Sequence, residues 1–158
     1  MKTLRRSIGK PEVGGEPLPP PFQAFQREGI ILRRAEVSVI AGTPGAGKSS
    51  IALHIAARLK QPTLYFSADT NAHTMAMRLL AMKAKISQAH AEHMLKTEPA
   101  KAEELLREFS NLYWSFEPSP TLNDLDAEVS AFETMWGRSP TLIVVDNLMD
   151  IATDGGEE

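Results

Sequence analysis

The sequence predicts an α/β domain, a mainly parallel sheet flanked by helices, and three observations carry that expectation. Short β-branched or apolar runs alternate with segments whose apolar residues recur at helical spacing. The last run, Thr-Leu-Ile-Val-Val at 141–145, is apolar without a break, which implies a strand covered on both faces, as in a parallel sheet. A glycine-rich segment at 42–47 separates the first run from the helix that follows it.

Taken in order, the chain opens with four basic residues in 1–10 and no apolar stretch behind them, so it does not read as a secretory signal. Residues 11–21, PEVGGEPLPPP, are rich in proline and glycine and cannot continue a helix or sit in a central strand. Residues 1–21 therefore read as an extended arm or linker, or as a loose tail, and the folded domain as residues 22–158. Its first expected strand is 36–41, where Val37, Val39 and Ile40 end in glycine. A helix follows, with Ile51, Ala52, Ile55, Ala56 and Leu59 on one face, and Pro62 breaks the chain before a strand at 63–67. Asn71 caps a helix lined by Met75, Leu79, Met82 and Ile86. Pro99 suits the first turn of another helix, with Leu105, Leu106 and Phe109 inward, and a strand follows at 112–116. Thr121 and Asp124 form a capping-box pattern ahead of Leu125, Val129, Phe132 and Trp136, and Gly137 is a natural stop.

Composition narrows the function classes. Seventeen Lys and Arg against twenty Asp and Glu give a net charge of −3, which argues against a surface that clamps nucleic acid all over. Any nucleic-acid contact must be local. Without cysteine there is neither a disulfide framework nor a thiolate metal site, which fits a reducing cytosol. No stretch approaches the roughly 20 apolar residues of a membrane span.

The segment Gly42-Thr43-Pro44-Gly45-Ala46-Gly47-Lys48-Ser49 matches G-x-x-x-x-G-K-[ST] and lies between a β-branched run and an amphipathic helix, the context this pattern needs to cradle phosphates. Glycines at 42, 45 and 47 let successive N–H groups turn inward on phosphate oxygens, and the helix N-terminus, reached through Ser49 and Ser50, adds positive potential. Lys48 supplies a point charge for the β and γ phosphates, and the Ser49 hydroxyl reaches a magnesium ion. The pattern thus predicts bound ATP with Mg2+.

Two carboxylates fall where ligands meet an α/β sheet, at the carboxyl ends of strands. Asp146 closes the run at 141–145 and reads as the second magnesium-site residue, which the cation keeps ionised; a turn cap is the plainer alternative. Asp69 ends the strand after the glycine-rich loop and is placed to activate the attacking water, or else to cap the helix with Thr70 and Asn71. His90 and His93, with Glu92 between, lack a further ligand and read as a solvated helix face.

With those residues in place the chain resembles the ATPase core of the RecA-type superfamily and, more closely, replicative helicases of the DnaB type, including phage versions. Three segments carry the resemblance: the loop at 42–49, the stretch Tyr65-Phe66-Ser67-Ala68-Asp69 with the Arg78-Leu79-Leu80 helix behind it, and residues 144–151 around Asp146. The likeness spans residues 22–151. Those helicases carry glutamate where this chain has Asp69, one methylene longer, so slower hydrolysis is the expected consequence. They also continue past this strand with DNA-binding loops, a γ-phosphate sensor and an arginine finger for the neighbouring subunit, so residues 22–158 are expected to be the front part of such a core, either as a fragment or as a short natural product.

The resemblance implies a Mg2+-dependent ATPase motor that acts on single-stranded DNA in replication or recombination. It further implies a homo-oligomer, a hexameric ring or filament tied by the arm, in the cytosol of a bacterium or phage-infected host. An arginine finger supplied in trans is worth about 10³ to 10⁵ in rate, so an isolated protomer should bind ATP and turn it over poorly. Two other classes stand beside the motor. One is a nucleotide-switched interaction protein such as a loader, mediator or inactive short paralogue; the other is a small-molecule P-loop kinase, which the chain layout disfavours.

Overall fold

The computed structural model describes residues 15–152, so the basic start and the first part of the proline-rich arm, as well as 153–158, lie outside the described residues. The element order is α1 (Gln23–Arg27), α2 (Lys48–Leu59), β1 (Thr63–Ser67), α3 (Ala72–Ala84), α4 (Gln88–Thr97), α5 (Pro99–Leu106), β2 (Leu112–Ser115), α6 (Leu122–Trp136) and β3 (Leu142–Asp146). The three strands form one parallel sheet in the order β2-β1-β3. Helical crossovers between consecutive strands enforce that parallel arrangement, α3 to α5 between β1 and β2 and α6 between β2 and β3.

Strand β1 is the centre of the molecule and all five of its residues are buried. Because side chains alternate along a strand, it feeds two cores. Tyr65 packs with Leu53, Ala56 and Ala57 of α2 and with Met75 and Leu79 of α3 on one face. Leu64 and Phe66 pack under Phe132 of α6 on the other. A third cluster, Leu80, Ala91 and Ala102, joins α3, α4 and α5.

The helix ends follow from local chemistry. Asn71 Oδ1 accepts from the Thr74 amide at 2.9 Å, Pro99 occupies the first turn of α5, and Thr121 and Asp124 exchange both bonds of a capping box. Gly137 ends α6 in the left-handed conformation at φ 63°. Helix α4 is an element that the apolar spacing does not single out. It is capped by Ser87, whose hydroxyl accepts from the His90 amide at 3.2 Å.

The described part of the arm is packed. Residues 15–18 run antiparallel to 32–34, with Leu18 N–H on Leu32 O at 2.8 Å and Arg34 N–H on Glu16 O at 3.0 Å. Leu18 is buried against Ile55 and Leu59 of α2, and the Arg58 guanidinium lies 4.8 Å over the Phe22 ring.

Two expectations need correction. The strand expected at 36–41 is not formed: the segment pairs with no strand among the described residues, and every residue from 34 to 47 is exposed, Val37 at 94% and Val39 at 74%. Around its ends, Arg34 Nη1 reaches Thr141 Oγ1 at 3.5 Å, just before β3, and Ser49 Oγ reaches Asp146 Oδ1 at 2.9 Å. Branched residues fit a pleated surface once a neighbour is there, and no ladder bond among the described residues provides one. The second correction is β3. Its apolar run implied cover on both faces, yet it is a sheet edge with Ile143 47% exposed.

Candidate functional site

The site lies at the carboxyl end of the sheet, where the strand ends meet the start of α2. Gly45 (φ 77°) and Gly47 (φ 84°) hold left-handed conformations that a side chain disfavours, and between them the chain turns from the extended segment into α2. The Ala46 amide bonds Thr43 O at 3.2 Å and the Ile51 amide bonds Gly47 O at 3.0 Å, which closes the turn and starts the helix. Lys48 folds back over this loop, its Nζ donating to Gly42 O and Thr43 O at 3.1 Å each. The ammonium is thus held on the loop's own carbonyls. Pro44 lies in the exposed turn, and Ser50 in the first turn of α2 gives its carbonyl to His54 Nδ1 at 2.7 Å.

Asp146 is 8% exposed at the end of β3, and both of its oxygens are engaged. Ser49 donates its hydroxyl to Oδ1 and Tyr65 donates its hydroxyl to Oδ2, each at 2.9 Å. Burial, and after it the Asp146 charge and hydrogen bond, hold the Tyr65 phenol far above its usual value, so it serves as a donor throughout the working pH range. Ser67 forms a register pair with Asp146, is fully buried, and its Oγ has no partner among the described residues.

This donor set fits a magnesium ion. The Asp146 carboxylate and the Ser49 hydroxyl in contact with it are hard oxygen donors of the kind Mg2+ takes beside a nucleotide, where phosphate oxygens and water supply its other ligands. Among the described residues no cluster of three or more His, Cys, Asp or Glu forms a cation cage.

Asp69 stands two residues past β1 on the same carboxyl edge and is exposed; the Ala68 amide before it bonds Asp146 O at 3.0 Å. The structure thus brings Ser49 and Asp146 into contact, puts Lys48 on the loop beside them, and leaves Asp69 near but unbonded to either. His90 and His93 lie exposed on α4. Sequence reasoning missed Tyr65 as a partner of Asp146. The available signal was a tyrosine inside a buried strand, whose hydroxyl must find an acceptor.

The comparisons decide the family. The model of the DnaB-like helicase C-terminal domain matches residues 19–158. The chain belongs to that family. It is 33% identical over 160 residues to the Gene 65 protein of Mycobacterium phage L5, covering 99% of this chain and 59% of that one. It is 32% identical over 123 residues to the Gene 65 protein of Mycobacterium phage D29, covering 77% of this chain and 52% of that one. A probable replicative DNA helicase of Trieres chinensis is 29% identical over 107 residues, 64% of this chain and 22% of that one. The chain therefore spans between half and three fifths of the length of the two phage relatives. No helix among the described residues is long and apolar enough to cross a membrane.

Proposed function

We propose that this chain is the nucleotide-binding part of a DnaB-like motor, which binds ATP with Mg2+ at residues 42–50 and hydrolyses it in response to single-stranded DNA. The observation that carries this reading is the 2.9 Å contact of Ser49 with Asp146, two residues 97 positions apart. It joins the loop that cradles phosphates to the strand-end carboxylate that such sites need. Magnesium, when bound, neutralises charge on the β and γ phosphates. The residues supply the rest: the loop amides orient the phosphates, Lys48 places its charge on them, Ser49 and Asp146 present oxygen ligands, and Asp69 takes the proton of the attacking water. The partners of this reading are single-stranded DNA and further copies of the chain in a ring or filament, in the cytosol of a bacterium or phage-infected host.

The test is ATP hydrolysis with and without single-stranded DNA, with Lys48→Ala as the blank. A DNA-stimulated rate that Lys48→Ala abolishes is the expected result. Loss of nucleotide binding in the wild type would overturn the site assignment itself.

One observation favours a second reading, a nucleotide-switched interaction protein. The lead-in to the loop at 36–41 is exposed, a surface open to a partner. Nucleotide binding that depends on Lys48 but gives no DNA-stimulated turnover, together with assembly only onto a longer partner, would favour this switch over the motor. Family membership stands against a metabolite kinase.

A further inference from the structure

Asp146 terminates an edge strand, and a carboxylate in that position has two side-chain torsions to settle. Its two hydroxyl partners differ in kind. Ser49 is half-buried in the first turn of α2, on the loop that nucleotide must contact, so its hydroxyl is free to turn from Oδ1 toward a ligand. Tyr65 has no such freedom. It is fully buried, its ring lies 4.9 Å from that of Trp114, and α2 and α3 close over it with Leu53, Met75 and Leu79. Its hydroxyl is a single donor on a rigid ring, aimed at Oδ2.

The bond is not needed to hold β1 on β3. Five register pairs, Thr63↔Leu142 through Ser67↔Asp146, and the Ala68 amide on Asp146 O already do that. What the hydroxyl adds is orientation of the carboxylate. With Oδ2 pinned from below, Oδ1 is the oxygen left to face Ser49 and whatever ion Ser49 reaches.

We propose that Tyr65 is the positioning residue of the metal site, acting through Asp146 by fixing Oδ2 so that Oδ1 is presented to magnesium. This rests on the nucleotide-binding reading above. Removing the hydroxyl leaves the carboxylate to choose among rotamers and weakens its hold on the ion; outer-shell partners of this kind are worth about 10- to 100-fold in metal affinity.

The experiment measures binding of a fluorescent, slowly hydrolysed ATP analogue to the full chain across a magnesium titration. It compares the wild type with Tyr65→Phe, Asp146→Asn and the double variant. Tyr65→Phe is expected to need about 10-fold more magnesium for its half-maximal effect while binding the analogue unchanged in chelator. On the Asp146→Asn background the same substitution is expected to add nothing, because its route to the ion is already gone. An unshifted magnesium midpoint, or an equal shift in both backgrounds, overturns the proposal and leaves the nucleotide site standing. A wild type that binds no analogue overturns both, and is told apart because it needs no variant. Should the phenylalanine chain not fold, 19F spectra of the fluorotyrosine-labelled wild type give the answer. Tyr65 and Tyr113 lie in different clusters, so magnesium added to the nucleotide-bound protein should move the Tyr65 line and spare that of Tyr113. A stationary Tyr65 line overturns the proposal.

Discussion

The two halves of the site are built in opposite ways. Asp146 and Tyr65 sit in the sheet, buried, each polar atom matched, with cores above and below β1. The glycine-rich loop and its lead-in are exposed from residue 34 to 47 and are shaped by left-handed glycines, one turn and the start of α2. Tertiary packing therefore fixes where the carboxylate points, while local backbone chemistry fixes the shape of the loop. Substitutions in the two halves should therefore fail differently, through folding in the first and through conformation and ligand contact in the second.

The largest effect is expected far from the site, in the helical cluster that carries the buried half. Leu80 is fully buried in a cluster with Ala91 and Ala102, against which Ile86, Met94, Leu105 and Leu106 pack, so truncating it opens a cavity where α3, α4 and α5 meet. Leu80→Ala should cost about 2 to 5 kcal/mol in urea unfolding. A loss below about 1 kcal/mol would show that α3, α4 and α5 do not share one packed core.

Next in size is Gly47→Ala, which probes the other half. At φ 84° the position is left-handed, and a Cβ there would meet nothing within 4 Å, so the expected cost is conformational. It should amount to about 1 to 2 kcal/mol, and nucleotide should bind more weakly because the amides no longer converge. If stability falls while the affinity for nucleotide is unchanged, the loop does not act through its backbone shape.

How much of this was legible in the sequence follows the same division. Whatever depends on a few neighbouring residues could be read: the Asn71 and Thr121 caps, Pro99 at the start of α5, the Gly137 stop, the glycine spacing of the loop, and the position of Asp146 at a strand end. Whatever depends on partners distant in the chain could not. Tyr65 and Asp146 are 81 positions apart, and nothing local announces their bond. The strand at 36–41 failed for the complementary reason, since branched residues state a preference for a sheet without naming the strand that would accept them. Ile143 was misplaced likewise: an apolar run does not reveal whether a strand is central or at an edge.

The smallest expected effect is the sharpest test of that contrast. Val37 is 94% exposed, so Val37→Asp removes almost no burial and should change stability by less than about 0.5 kcal/mol. Thermal unfolding of the isolated chain checks it. The same substitution beneath a covering strand would bury an unpaired carboxylate and cost several kcal/mol. A loss of that size would mean that residues 36–41 are covered in the folded protein, and the glycine-rich loop would then be braced by packing as Asp146 is. A neutral outcome leaves the loop's shape to its glycines and to the Ser49 contact alone.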